Sequence, residues 1–149
     1  MSWSVLKYSL TKAYPDGIEP LSRNGDACGY DIRVTPSSPV TLQPNESYVF
    51  PTSICLELPR GVGGFIYPRS GLGCKGIILR NTVGVIDPDY RGEIKVCLVN
   101  TSSQPFTIQP YDRVAQLVLH SFIALPAVET ENLSETERGD KGFGSSGVK

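Results

Sequence analysis

Twelve prolines and fifteen glycines are spread along 149 residues, and between them no segment offers a convincing long amphipathic helix. The segments between them are rich in β-branched and aromatic residues, the pattern of an all-β domain. Alternation is clearest in Ser53 to Leu58, where Ile54, Leu56 and Leu58 share a face, and in Glu93 to Leu98, where Ile94, Val96 and Leu98 do so. Further strands are expected over 5–10, 31–34, 47–50, 64–67 and 106–109, each bounded by turn residues such as Pro15-Asp16-Gly17, Pro44-Asn45 and Gln109-Pro110. The run 113–123 is largely apolar, which leaves its period ambiguous between helix and strand. Its β-branched residues and the absence of a cap favour a strand, with Ala115, Leu117, Leu119 and Ile123 on one face and Gln116, His120 and Phe122 on the other.

The length suits one domain, able to bury a core without metal or disulfide staples. A formal charge of −1 and a pI near 5.8 give no global field to recruit a polyanion, so a nucleic acid polymer is excluded as partner. Phosphate binding, if present, must come from locally placed arginines and backbone amides. The start Met1-Ser2-Trp3-Ser4 has no basic-then-apolar leader and no apolar run reaches membrane-spanning length. A soluble intracellular protein, of cytoplasm or nucleus and without membrane contact, is expected. Cys28, Cys55, Cys74 and Cys97 form no Cys-x-x-Cys pair, which reads as reduced thiols rather than a zinc site.

From Glu129 to Glu137 the chain is polar and acidic, a tether with Leu133 its one large apolar residue. It leads into Arg138-Gly139-Asp140-Lys141-Gly142-Phe143-Gly144-Ser145-Ser146-Gly147, so the chain divides into a body over 1–128 and a tether with a Gly-rich arm over 129–149. Such a glycine-rich segment cannot fold alone, but its N–H groups can approach a ligand closely. One reading is a flexible Gly/Ser terminus. The other is a nucleotide cover, in which Arg138 suits a terminal phosphate and Phe143 the face of a base.

Three internal segments carry chemistry. Gly84-Val85-Ile86-Asp87-Pro88-Asp89-Tyr90-Arg91-Gly92 reads as a hairpin turn with two carboxylates at its tip and Asn81 just upstream; an ordinary turn is the plain alternative. Pro68-Arg69-Ser70-Gly71-Leu72-Gly73-Cys74-Lys75-Gly76 follows a strand and suits phosphate oxygens, yet lacks the spacing of a P-loop. Cys28-Gly29-Tyr30-Asp31 sets a carboxylate at a strand start. The lone His120 reads as a structural strand residue.

In this order the segments resemble the five motifs of the trimeric all-β dUTPases, over nearly the whole chain: Asp31 in the first, Arg69-Ser70-Gly71 in the second, Asn81 to Gly92 in the third, Arg113-Val114-Ala115-Gln116-Leu117 in the fourth, and the tail as the fifth. The resemblance implies a distorted jelly-roll β-barrel with a flexible C-terminal arm, assembled as a homotrimer with shared active sites. It implies hydrolysis of dUTP to dUMP and pyrophosphate, which limits uracil incorporation into DNA and supplies dUMP. In that scheme Asp87 deprotonates the attacking water; Arg69, Ser70, Gly71 and Gln116 contact the phosphates; and Asp31 reaches Mg2+ through water, the ion being held mainly by the triphosphate. Asn81, Val85 and Ile86 would read uracil and Tyr90 would exclude a 2′-hydroxyl. Lys95 would lie near the same pocket, with a solvated strand lysine as its alternative. Arg138, Phe143, Gly144, Ser145 and Ser146 would close over the nucleotide. Cys28 and Tyr111 depart from the family's usual alanine and glycine, and Tyr111 is expected to alter a turn near Gln116. A dCTP deaminase-like enzyme, or a catalytically silent nucleotide-sensing module on the same fold, is the alternative.

Overall fold

The computed structural model describes residues 5–142, and the secondary structure there is almost entirely β. The strands are β1 (Lys7–Leu10), β2 (Leu21–Ser22), β3 (Gly29–Arg33), β4 (Val40–Leu42), β5 (Ser47–Glu57), β6 (Val62–Pro68), β7 (Ile77–Leu79), β8 (Gly84–Ile86), β9 (Glu93–Asn100), β10 (Phe106–Ile108) and β11 (Arg113–Ser121). One four-residue helix, α1 (Ser70–Gly73), follows β6. The strands assort into a four-stranded sheet β1-β5-β9-β7, a five-stranded sheet β2-β3-β11-β6-β8 and the two-stranded ribbon β10-β4. The all-β class holds. The expected barrel does not close: the sheets stay separate ladders, because the chain passes between them through turns rather than through shared strands.

Alternation explains the core. Ile54, Leu56 and Leu58, and Ile94, Val96 and Leu98, are all buried, as their period-two spacing requires. They meet Phe50 of their own sheet, Ile32, Ile66, Val114, Ala115 and Leu117 of the facing sheet, and Val34 just past β3 in one cluster. Segments 47–50 and 53–58 prove to be one strand. Pro51 has no N–H to give a ladder, and the β5–β9 register shifts between Pro51 and Cys55, so the proline sits where pairing is already interrupted. Ser53 takes a left-handed φ of 59° there, and its N–H is recovered by Glu93 Oε1 at 2.7 Å. Segment 113–123 is a strand, but it ends at Ser121; Ile123, expected on the buried face, is 87% exposed. Every residue from 121 to 142 is exposed.

The segment 84–92 is not a hairpin. β8 pairs with β6, whereas β9 pairs with β5 and β7, so Asp87 to Gly92 carries the chain from one sheet to the other. The turn is closed locally by Tyr90 N–H to the Asp87 carbonyl at 3.1 Å and by Arg91 Nη1 to the Pro88 carbonyl at 2.6 Å.

Tyr111 keeps the left-handed conformation that glycine favours, with φ 68°. Its ring stands edge-on to Tyr14 at 5.4 Å, and Arg33 Nη1 donates to its carbonyl at 2.9 Å. These contacts offset a backbone cost of roughly 1–3 kcal/mol. The turn into β11 thus takes a backbone conformation that glycine would also adopt. Tyr14 also donates to the Thr52 carbonyl at 2.7 Å; burial pushes its phenol up to about 12, with the Arg33 guanidinium pulling the other way.

Candidate functional site

Three separated segments converge at the pairing of β3 with β11. Asp31 and Gln116 are direct cross-strand partners, and Gln116 faces Tyr67 of β6 on its other side. The end of β6 carries the chain into Arg69 and α1, which places the second segment beside the first and fourth. Asp31, Arg69, Ser70 and Gln116 line one polar cavity of about 310 Å³, together with Ser22, Asn24, Ala27, Cys28 and Gly29. The predicted phosphate-side residues are thus neighbours. Gly71 lines an adjoining cavity of about 370 Å³ that also reaches Arg69, Lys75 and Arg113.

Within the polar cavity the charges are paired. Arg69 Nε lies 3.0 Å from Asp31 Oδ1, and Arg113 Nη1 lies 3.2 Å from Asp31 Oδ2. Arg69 Nη1 also donates to the Arg113 carbonyl at 3.0 Å, and Gln116 Nε2 to the Pro68 carbonyl at 3.0 Å. The Gln116 carboxamide is held on one side by a backbone acceptor, leaving its oxygen toward Gly29. Gly29 has no side chain for a reason: a Cβ there would stand 2.9 Å from Gln116 Oε1 and 3.3 Å from Val118 Cγ2.

The third segment builds a different cavity. Asn81, Val85, Ile86 and Lys95 line a hollow of about 120 Å³ with Ile66, Leu79, Gly84, Val96 and Cys97. Asp87 and Tyr90 sit beside it on the crossing turn and are exposed. Tyr90 is seated by its own turn: its hydroxyl donates to the Glu93 carbonyl at 3.0 Å, and a Cβ on Gly92 would stand 2.7 Å from its Cζ. Among the described residues no hydrogen bond or ion pair joins Asp87 to Asp31, Arg69, Ser70 or Gln116. A single chain therefore presents the polar cavity and the hollow beside Asn81 as two separate sites. Arg138 is exposed, its Nε bonded to the Lys141 carbonyl at 2.9 Å within the tail. Phe143, Gly144, Ser145 and Ser146 lie outside the described residues.

Sequence reasoning missed Arg113, Gly29 and Gly92. Arg113 was visible as a cation in the fourth segment, but only the β3–β11 register shows it reaching Asp31. No group of three or more His, Cys, Asp or Glu side chains able to hold a metal exists among the described residues. No described helix is long and apolar enough to cross a membrane. The four cysteines are free thiols.

Comparison with known proteins places this geometry. The dUTPase family pattern matches residues 17–147. The deoxyuridine 5′-triphosphate nucleotidohydrolase of Neorickettsia sennetsu is 48% identical over 122 residues, covering 81% of this chain and 82% of its own. That of Caldanaerobacter subterraneus subsp. tengcongensis is 43% identical over 145 residues, covering 97% and 98%. Among solved structures, the Staphylococcus bacteriophage 80alpha dUTPase with dUPNHPP has a TM-score of 0.85 at 26% identity, covering 97% of this chain and 99% of that one. With a family match through nearly its whole length and relatives that agree across up to 97% of it, the chain belongs to the dUTPase family.

Proposed function

We propose that this chain hydrolyses dUTP to dUMP and pyrophosphate. The observation that carries the reading is the meeting of Asp31, Arg69, Ser70 and Gln116, from three distant segments, around one polar cavity in a chain of this family. Arg69, Ser70 and Gln116 supply fixed donors for phosphate oxygens, with Gly71 letting the backbone approach. Water attacks the α-phosphorus and gives a proton to the Asp87 carboxylate. The bond from that phosphorus to the oxygen bridging toward the β-phosphate breaks, and pyrophosphate leaves with the electron pair.

A divalent cation fits the donors present. The polar cavity offers one carboxylate and no protein cage, which suits Mg2+, an ion that keeps its waters and binds through one or two carboxylates plus substrate phosphates. Asp31 would hold it through water. When bound, Mg2+ polarises the phosphoryl oxygens and neutralises charge on the departing pyrophosphate.

Asn81 and the backbone of Val85 and Ile86 read the uracil edge, with Lys95 at the rim of the hollow. Cytosine would reverse the donors and acceptors, leaving buried groups unpaired at about 1–3 kcal/mol each. Tyr90 packs against the sugar and rejects a 2′-hydroxyl. Arg138 grips the γ-phosphate, Phe143 covers the base, and Gly144, Ser145 and Ser146 close over the phosphates. The division of the site into two halves on one chain supports a homotrimer in which one subunit's phosphate cavity faces another's nucleoside hollow, the body over 1–128 carrying both and the 129–149 arm bridging. The setting is the soluble interior of the cell. The relatives' names favour hydrolysis over dCTP deamination or a silent sensor.

Pyrophosphate release from dUTP, dTTP, dCTP and UTP tests this. Turnover confined to dUTP is expected; comparable turnover of all four, or uridine nucleotide formed from dCTP, would overturn the reading.

A further inference from the structure

Asp31 is held by two guanidinium groups, one on each oxygen. Arg69 Nε takes Oδ1 at 3.0 Å and Arg113 Nη1 takes Oδ2 at 3.2 Å, and the carboxylate is only 20% exposed. An acidic group so placed satisfies the arginine that the phosphate chain needs. A triphosphate entering here competes with Asp31 for the Arg69 guanidinium, whose Nη2 has no partner among the described residues, and the two pairs are not equivalent. Arg69 keeps a second anchor, since its Nη1 donates to the Arg113 carbonyl at 3.0 Å. Its Nε can leave Oδ1 while the guanidinium stays hinged at Nη1. The Arg113 side chain has no other hydrogen-bond partner among the described residues, and its backbone pairs with Arg33 just before the β3–β11 register shifts toward Ala115, which sets its guanidinium on Oδ2.

We infer that Arg113 is a positioning residue: it is the fixed post on which Asp31 stays while Arg69 Nε passes from Asp31 to a phosphate oxygen. Resting on the dUTP reading above, the inference links metal to phosphate binding. With a divalent cation bound, Oδ1, freed by Arg69, would hold one of its waters, and the cation's charge would compensate the guanidinium that has left. Without the cation, Asp31 competes with phosphate for Arg69. Without Arg113, Asp31 follows Arg69 or swings away, and the exchange loses its direction. No covalent step is involved.

The experiment is calorimetric titration of the intact chain with a non-hydrolysable dUTP analogue, with Mg2+ and with EDTA, using dUMP as the reference that engages little of the phosphate cavity. Arg113→Gln is expected to reduce the Mg2+ enhancement of analogue binding about 10-fold, the scale of losing a partner that orients a metal-side carboxylate, while dUMP affinity and the melting temperature stay close to wild type. Arg113→Lys should restore part of the enhancement, since it keeps the charge but not the fork. Asp31→Asn should bind the analogue more tightly than wild type in EDTA, because Arg69 is then free. Wild-type Mg2+ enhancement in Arg113→Gln, an equal loss for dUMP and analogue, or metal-free binding by Asp31→Asn no tighter than wild type would each overturn the inference. Wild-type protein that binds neither ligand would overturn the dUTP reading itself, and the inference with it.

Discussion

Gly29 and Gln116 stand diagonally across the β3–β11 ladder, so close that a Cβ at position 29 would lie 2.9 Å from Gln116 Oε1. The atom it would strike is the far end of a side chain, so the strain of a substitution is relieved by moving Gln116 rather than the sheet. A glycine in a strand thereby becomes a determinant of the polar cavity's shape.

Gly29→Ala should consequently damage function more than stability. A displacement of the Gln116 carboxamide by several tenths of an ångström is expected to lower kcat/KM for dUTP by about 10- to 100-fold, since geometry at this scale controls how reacting groups meet. The melting temperature should fall by only a few degrees. Steady-state kinetics with a thermal melt checks this; unchanged kinetics would detach Gln116 from substrate.

Asp87→Asn should lower kcat by about 100- to 10,000-fold, the range for losing a general base. The side chain is exposed on the crossing turn and makes no hydrogen bond or ion pair among the described residues, so the melting curve and the affinity for a non-hydrolysable dUTP analogue should be retained. Single-turnover rates combined with calorimetry separate the two effects. Normal turnover in this variant would remove Asp87 from its role.

Tyr14 gives the fold an alkaline limit. Burial raises its phenol from 10.0 to about 12, so the folded state favours the neutral form. The stabilisation is fully present below the unfolded value and is lost as pH climbs from about 10 to about 12, because the unfolded chain ionises first. Urea unfolding should show a steeper loss of stability over that window for wild type than for Tyr14→Phe. At neutral pH Tyr14→Phe should cost about 1 kcal/mol, for the hydrogen bond to the Thr52 carbonyl. A tyrosinate absorbance difference between the two proteins, centred near 10 instead of 12, would refute the assignment.

Truncation after Glu137 should spare the fold, because everything from residue 121 to 142 is exposed and, among the described residues, no strand lies beyond Ser121. Turnover should drop by about 100-fold or more, the scale of removing a preorganised charge partner from a phosphoryl centre. Circular dichroism beside a pyrophosphate assay decides it. A fully active truncation would make the arm a linker.

Short-range physics made the fold class legible. Proline and glycine spacing excluded long helices, and period-two alternation at Ile54-Leu56-Leu58 and Ile94-Val96-Leu98 named core positions that are buried. Alternation sees only which face a residue is on, so it could not tell which strand pairs with which. The turn at 84–92 therefore looked like a hairpin until β8 was seen beside β6 and β9 beside β5. The end of β11 was equally hidden, since Ile123 carries the same apolar signal as Leu117 yet has nothing to pack against.

By itself the sequence determined the residue types that could do the chemistry, because a carboxylate, a guanidinium and a carboxamide carry their reactivity wherever they are placed, and the ordered motifs named Asp31, Arg69, Ser70, Asn81, Asp87 and Gln116. Only the tertiary structure decided which of them meet. Register across β3, β11 and β6 gathers Asp31, Gln116 and Arg69 around one cavity, pairs Arg69 and Arg113 with Asp31, and leaves little room for a side chain at Gly29. The passage of residues 87–92 between sheets keeps Asn81 and Lys95 in a separate hollow. The physical reason is that hydrogen-bond ladders are set by partners distant in sequence, and a one-residue change of register would turn every one of these side chains to the opposite face.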